Sequence, residues 1–198
     1  MGRELKILQI NIRSLRSNSD LLQCFLNDNN IDIAILNETW LQNGTEHHIQ
    51  NYKGIYKNRD DGYGGVGFLI KNKINIKQQE LNFTLETIEA IQIQLNIGNE
   101  VWHLMGFYNP PNNNTVAQTN DLRKILNKAE NMGKTIIAGD INAHSFLWGE
   151  KNYHKGEKIA EIINNQDVKV LKNGGFTRFN MTNHTTSAID ITMSTPDI

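Results

Sequence analysis

The run Lys134-Thr135-Ile136-Ile137-Ala138-Gly139-Asp140-Ile141-Asn142-Ala143-His144 carries an apolar strand to a glycine and then presents a carboxylate and an amide two positions apart. A short continuous apolar run has the pattern of a buried strand, and side chains two apart on extended chain point the same way. Asp140 and Asn142 are therefore expected to converge on one point. There Asp140 could take a proton from water while Asn142 donates to an oxygen gaining negative charge, a pairing suited to attack on a phosphate ester. Gly-Asp-x-Asn also serves as an ordinary polar strand exit, so the rest of the chain must decide.

Working outward, strands outnumber helices. Leu5 to Ile12, Ile31 to Leu36, Gly64 to Ile70, Thr87 to Leu95 and Val101 to Tyr108 have strand patterns, and so do Val168 to Leu171, Phe176 to Phe179 and Ala188 to Met193. Helical spacing appears over Asp20 to Asp28, with Leu21, Leu22, Phe25 and Leu26 assigned to one face. It recurs from about Asn120 to Met132, ahead of Gly133, and over about Glu157 to Asn164. Pro110 to Asn114 is expected to be loop, and Asn173-Gly174-Gly175 and Thr182-Asn183-His184 to be turns. Many strands with a few interleaved helices in 198 residues predict an α/β sandwich of two packed sheets, in one domain spanning 1–198.

Composition narrows the class. The net charge of −1 means that a nucleic-acid partner would have to be held by a local basic patch. Arg13, Arg16, Lys57, Arg59, Lys151 and Lys155 are candidates for such a track, with ordinary soluble surface as the alternative. The single cysteine, Cys24, excludes an internal disulfide framework, and its apolar neighbours suggest inert core filling. With no apolar signal core at the N-terminus and no run of eighteen apolar residues, the expectation is an intracellular protein, nuclear or cytoplasmic, neither secreted nor membrane-bound.

Polar residues recur at strand ends. Asn11 closes Gln9-Ile10-Asn11, Glu38 follows Leu36-Asn37, Tyr108 closes Gly106-Phe107-Tyr108, and Asp190 interrupts Ala188-Ile189-Asp190-Ile191. An acidic side chain between isoleucines is costly to bury without a partner, so Asp190 should answer a cation or a donor. Each has a bland reading alone: a turn former, an exposed acid, a half-buried aromatic, a structural acceptor. Their joint order points to one shared rim.

That order resembles the endonuclease/exonuclease/phosphatase family, and more narrowly the apurinic-type endonuclease domain of non-LTR retrotransposon polyproteins. Gln9-Ile10-Asn11-Ile12-Arg13 resembles the opening Asn motif, Asn37-Glu38-Thr39-Trp40 the Glu-Thr metal motif, and Gly64-Gly65-Val66-Gly67 the glycine-rich hairpin. Tyr108-Asn109-Pro110-Pro111 is similar to the phosphate-side Tyr segment, and Ser187-Ala188-Ile189-Asp190 to the Ser-x-x-Asp strand. Asn142-Ala143-His144 and Leu147-Trp148-Gly149 match the retroelement form in particular. The resemblance implies a DNase I-like, four-layered α/β sandwich of two mixed sheets flanked by helices. It implies that Glu38, with Asn11 beside it, binds Mg2+, or Mn2+ in its place, and that Asp140 activates water. Asn142 and Tyr108 would hold the phosphate, and Asp190 would orient a histidine. Arg13, Asn109, His144 and Trp148 would contact substrate. The implied partners are DNA and a reverse transcriptase domain in the parent polyprotein. The implied product is a nick whose 3′-hydroxyl primes reverse transcription.

The family pattern continues to another strand and a Ser-Asp-His motif, whereas this sequence stops at Thr195-Pro196-Asp197-Ile198, and none of its six histidines falls at that place in the order. The resemblance therefore implies an incomplete C-terminus lacking the last strand or strands, weak or no cleavage, and an uncovered sheet edge. Two other readings follow: a phosphatase or phosphodiesterase of the same superfamily, and a non-catalytic DNA-binding remnant. Gly62-Tyr63-Gly64-Gly65-Val66-Gly67 fits a dinucleotide fingerprint, but the strand-like Phe68-Leu69-Ile70 after it favours a hairpin. His47-His48 lacks a spaced third ligand and suggests exposed loop. Trp148 suits base stacking or core packing equally.

Overall fold

The computed structural model describes residues 4–111, 115–149, 151–171 and 175–198. Two sheets form its middle. The first is built from β1 (Ile7–Asn11), β2 (Ile33–Asn37), β3 (Tyr52–Lys57) and β4 (Val66–Lys71) in the order β1-β2-β4-β3, with β1 and β2 parallel and the other pairs antiparallel. The second contains β5 (Ile76–Gln79), β6 (Glu89–Ile97), β7 (Glu100–Tyr108), β8 (Thr135–Asp140), β9 (Lys169–Val170) and, beyond a separate hairpin of β10 (Arg178–Asn180) and β11 (Thr185–Ser187), β12 (Asp190–Ser194). Its order is β5-β6-β7-β8-β12-β9, with β7 and β8 parallel.

The apolar residues explain the layers. Ile33, Ile35, Phe68 and Ile70 of the first sheet meet Ile91, Ile93, Leu95 and Leu104 of the second. The outer face of the first sheet buries Ala34, Leu36 and Leu69 under α1 (Leu15–Asp28). That of the second buries Met105, Phe107, Ile137 and Ile191 under α2 (Thr115–Glu130) and α3 (His154–Asn164). The result is the expected four-layered sandwich. β2 lies inside and is buried at every position, which explains its unbroken apolar run. β1 is an edge strand, and each of its five residues stays partly exposed.

Three expectations need correction. α1 begins at Leu15, capped by Ser14, whose hydroxyl accepts from the Ser17 N–H at 3.3 Å. Its buried stripe is Leu15, Leu22 and Leu26, spaced seven and four residues apart and so on one face of the helix. Leu21 and Phe25 are exposed. Cys24 is exposed on the outer side of α1 and fills no core. Strands β3, β5 and β11 add to the expected set: β3 pairs with β4 across the glycine-containing loop, so the Gly62–Gly67 region is part of a hairpin. The expected loop at 110–114 and the turn at 173–175 fall partly outside the described residues. No described helix is long and apolar enough to cross a membrane.

Gly139 sets how closely β7 and β8 approach just before the acidic strand exit. A Cβ built there would stand 1.9 Å from the Phe107 carbonyl oxygen of the neighbouring strand. Gly139→Ala is expected to destabilise by about 1–3 kcal/mol, as overpacking does. The check is a lower urea midpoint with an unchanged m-value.

Candidate active site

Strand register brings the polar exits together. Asn11 pairs with Asn37, one residue before Glu38, in the first sheet. In the second, Asp140 lies opposite both Tyr108 and Asp190. Carboxamides join the two sheets. The Asn11 amide donates to Glu38 Oε1 at 2.7 Å and to Asp140 Oδ2 at 2.9 Å. One layer deeper, the Gln9 amide donates to Asn37 Oδ1 and Asp190 Oδ1, both at 2.8 Å, and the Asn37 amide donates to the Phe107 carbonyl at 2.6 Å. Neutral donors of this kind fix carboxylates without cancelling their charge.

The loops holding these groups are strained. Arg13, Ser14, Glu38, Trp40 and Asn142 all have positive φ, a conformation that costs a residue with a Cβ of the order of 1–3 kcal/mol and tends to persist at functional sites. Backbone hydrogen bonds hold it in place: Ser14 N–H donates to the Glu38 carbonyl, Leu15 N–H to that of Thr39, and Trp40 N–H to that of Gly64, each at 2.9 Å.

Together these exits line a cleft of about 410 Å3 formed by Asn11, Arg13, Glu38, Asp140, Asn142 and Asp190, with Thr177, Arg178 and Phe179 reaching in from the β10–β11 side. Burial, then the Asp190 charge, push the Asp140 carboxyl up to about 7, against the pull of the Asn11 amide and the Asn142 N–H. Burial also raises Asp190, opposed by hydrogen bonds from Gln9 and Thr177. Tyr108 is raised well above its usual range by burial and by the charges of Glu38, Asp140 and Glu89, so its hydroxyl stays protonated at neutral pH.

The donor set suits a hard cation. Asn11 Oδ1 is buried with no hydrogen-bond partner, beside the Glu38 carboxylate that the same side chain contacts. Among the described residues no three His, Cys, Asp or Glu side chains form a cage. Mg2+ matches that arrangement, since it takes one or two carboxylates and keeps several waters.

Residues 102–198, just under half of the chain, match the model of a family described as endonuclease-reverse transcriptase. The sequence is 27% identical over 184 residues to the probable RNA-directed DNA polymerase from transposon X-element of Drosophila melanogaster, covering 88% of this chain and 19% of that protein. The chain thus spans about a fifth of the length of the curated relatives it matches. The endonuclease domain of TRAS1, a telomere-specific non-LTR retrotransposon, superposes with a TM-score of 0.79 at 17% identity, covering 98% of this chain and 86% of that one. In sequence over its C-terminal half, and in fold throughout, the chain is similar to the endonuclease-reverse transcriptases. An AP endonuclease from Leishmania major shares the DNase I-like architecture, with a TM-score of 0.76 at 13% identity over 98% of this chain and 79% of its own.

Within this DNase I-like fold, Asn11, Arg13, Glu38, Asp140, Asn142 and Asp190 share the cleft, and Tyr108 stands beside Asp140 on the neighbouring strand. Asn142 arrives differently from the expectation. β8 ends at Asp140, and Asn142 turns back at φ 44°, its N–H donating to Asp140 Oδ1 and its amide to the Asn109 carbonyl. Asn109 and Trp148 are corrected from substrate contacts to internal braces. Asn109 is fully buried and donates to the Ile141 carbonyl at 2.7 Å, while the buried Trp148 indole donates to the Ala143 carbonyl at 3.1 Å. His144 lines a separate pocket with Lys151, Phe176 and His184. Arg59 is no free phosphate contact, since it pairs with Asp61 and Glu89.

Sequence reasoning missed Gln9, Asn37, Thr177 and Arg178. Gln9 interrupts the apolar residues of its strand and Asn37 closes an unbroken apolar run, signals open to reading, whereas Thr177 and Arg178 enter with a hairpin whose second strand, Thr185-Thr186-Ser187, carries no apolar residue.

Proposed function

We propose that this chain is a Mg2+-dependent DNA endonuclease domain of a non-LTR retrotransposon polyprotein, working inside the cell. In this reading it hydrolyses a phosphodiester to leave a 3′-hydroxyl from which a reverse transcriptase domain of the parent protein extends. The observation that carries it is the Asn11 amide bound at once to Glu38 and Asp140, which ties a cation-binding carboxylate to a basic one across two sheets. Its kinship with retrotransposon polymerases and the TRAS1 endonuclease domain supports DNA as substrate.

Glu38 and Asn11 Oδ1 would hold Mg2+, which when bound offsets charge on the phosphate and the leaving oxygen. Asp140, with its raised affinity for a proton, accepts one from the attacking water. The protonated Tyr108 hydroxyl donates a hydrogen bond at the phosphate, where Arg13 and Arg178 add positive charge from the cleft walls. Asp190, held by Gln9 and Thr177, is left to orient a proton donor.

None of the described histidines lines this cleft. The 198-residue chain is therefore expected to nick supercoiled plasmid in Mg2+ about 10²- to 10³-fold more slowly than a version extended by a strand bearing Ser-Asp-His. Equal rates would show that a histidine is dispensable here. Salt-sensitive DNA binding with no nicking from either version would favour a non-catalytic remnant, and cleavage of phosphoinositides but not DNA would favour a phosphatase.

A further inference from the structure

Trp40, two residues after the cleft-lining Glu38, and Tyr63 stand exposed. They are 37% and 67% accessible, and their rings meet edge to face with centroids 5.8 Å apart at 68°. Trp40 shares a two-step turn with Glu38: both have positive φ, at 52° and 54°, and the intervening Thr39 is fully buried. A bulky residue in that conformation is an outlier that the surroundings must sustain. Here its own N–H is held by the Gly64 carbonyl at 2.9 Å, and Gly65 is held in turn by the buried Glu89 carboxylate, which accepts its N–H at 2.5 Å. The strain does not serve to bury the indole. It leaves a large flat ring exposed, two residues along the chain from Glu38, which lines the cleft.

The chemistry beside the pair decides what it fits. Arg59 forks onto Asp61 at 2.7 and 3.0 Å and reaches Glu89 at 3.0 Å, and Asp61 also accepts the Tyr63 N–H. Asp60 accepts from the Asn43 amide. The one cation here, Arg59, is engaged by two of the three acids, so the platform offers aromatic faces and no free cation for a phosphate. The basic groups, Arg13 and Arg178, line the cleft itself. We propose that Trp40 and Tyr63 form a stacking platform for an unstacked nucleobase of the nucleotide chain whose phosphate occupies the cleft. This rests on the DNA reading above.

Binding without metal separates the platform from cleavage. Two oligomers of equal length and charge serve as probes in EDTA, one of thymidine and one of abasic deoxyribose phosphate, followed by fluorescence anisotropy and by tryptophan quenching. The thymidine oligomer is expected to bind about five- to a hundredfold more tightly, the range for base stacking on aromatic side chains. Trp40→Ala and Tyr63→Ala should each bring that ratio close to one, and Trp40→Phe should keep most of it. Tyr63→Ala lies outside the strained turn, so the test survives if Trp40→Ala fails to fold. Equal affinity of the two oligomers for the wild type, or an unchanged ratio in Tyr63→Ala, overturns the platform. A preference for bases with no nicking from either this chain or its version extended by Ser-Asp-His would leave the platform standing while removing the endonuclease reading, and nicking without that preference would do the reverse.

Discussion

Asp140→Asn is expected to slow Mg2+-dependent nicking by about 10³-fold relative to its parent, yet leave the metal-free protein at least as resistant to urea near pH 8. The two halves of this expectation share one cause. Asp140 is almost wholly buried, faces Asp190 across the β8–β12 pair, and shares the Asn11 amide with Glu38. A base in such a place accepts a proton readily because its charged form is disfavoured. The same disfavour burdens the folded state. An amide at this position keeps the acceptor oxygen for the Asn142 N–H, removes a buried negative charge and loses the basic lone pair. Plasmid nicking and urea unfolding on the same preparation check it. Loss of activity together with a large loss of stability would mean that Asp140 acts as a structural anchor.

How much of this is legible in the sequence depends on what positions each group. Asn11, Glu38, Tyr108, Asp140 and Asp190 stand at or next to the ends of apolar strands, and neighbouring strands that pair in register must bring such ends together. Asn142 and Trp40 depend on backbone angles that hydrophobic periodicity does not encode, so Asn142 reaches the cleft by a turn and not by strand alternation. Asn109 and Trp148 bear polar atoms of the kind that contact substrate, but interior carbonyls claim them. The buried face of α1 is misleading in the sequence because Leu21, Phe25 and Cys24 are apolar yet exposed, while the stripe that packs inward is Leu15, Leu22 and Leu26. Strand β5 (Ile-Lys-Gln-Gln) is an edge segment with one apolar side chain, too weak a pattern to detect alone.

The protonation of Asp140 couples the stability of the fold to pH and, in the proposed reading, to Mg2+. In the metal-free protein the carboxyl binds its proton up to about pH 7, whereas in the unfolded chain it releases it near 3.8, and burial moves Asp190 in the same direction. Below the unfolded value both states are protonated and the folded state keeps its full stability. Between the two values the unfolded chain sheds a proton that the folded one retains, so stability falls as pH rises, by about 1.4 kcal/mol for each pH unit crossed. The expected loss from about pH 4 to about pH 8 is on the order of 4 kcal/mol, and it should be much reduced in Asp140→Asn. Mg2+ at Glu38 and Asn11 would favour the ionised form of Asp140, so saturating Mg2+ should raise the urea midpoint at about pH 8 and leave it nearly unmoved at about pH 5. Urea titrations at both pH values, with and without Mg2+ and in both proteins, decide the matter. A midpoint that Mg2+ raises equally at both would place the cation away from these carboxylates, and a pH dependence that persists in Asp140→Asn would assign the buried proton to another group.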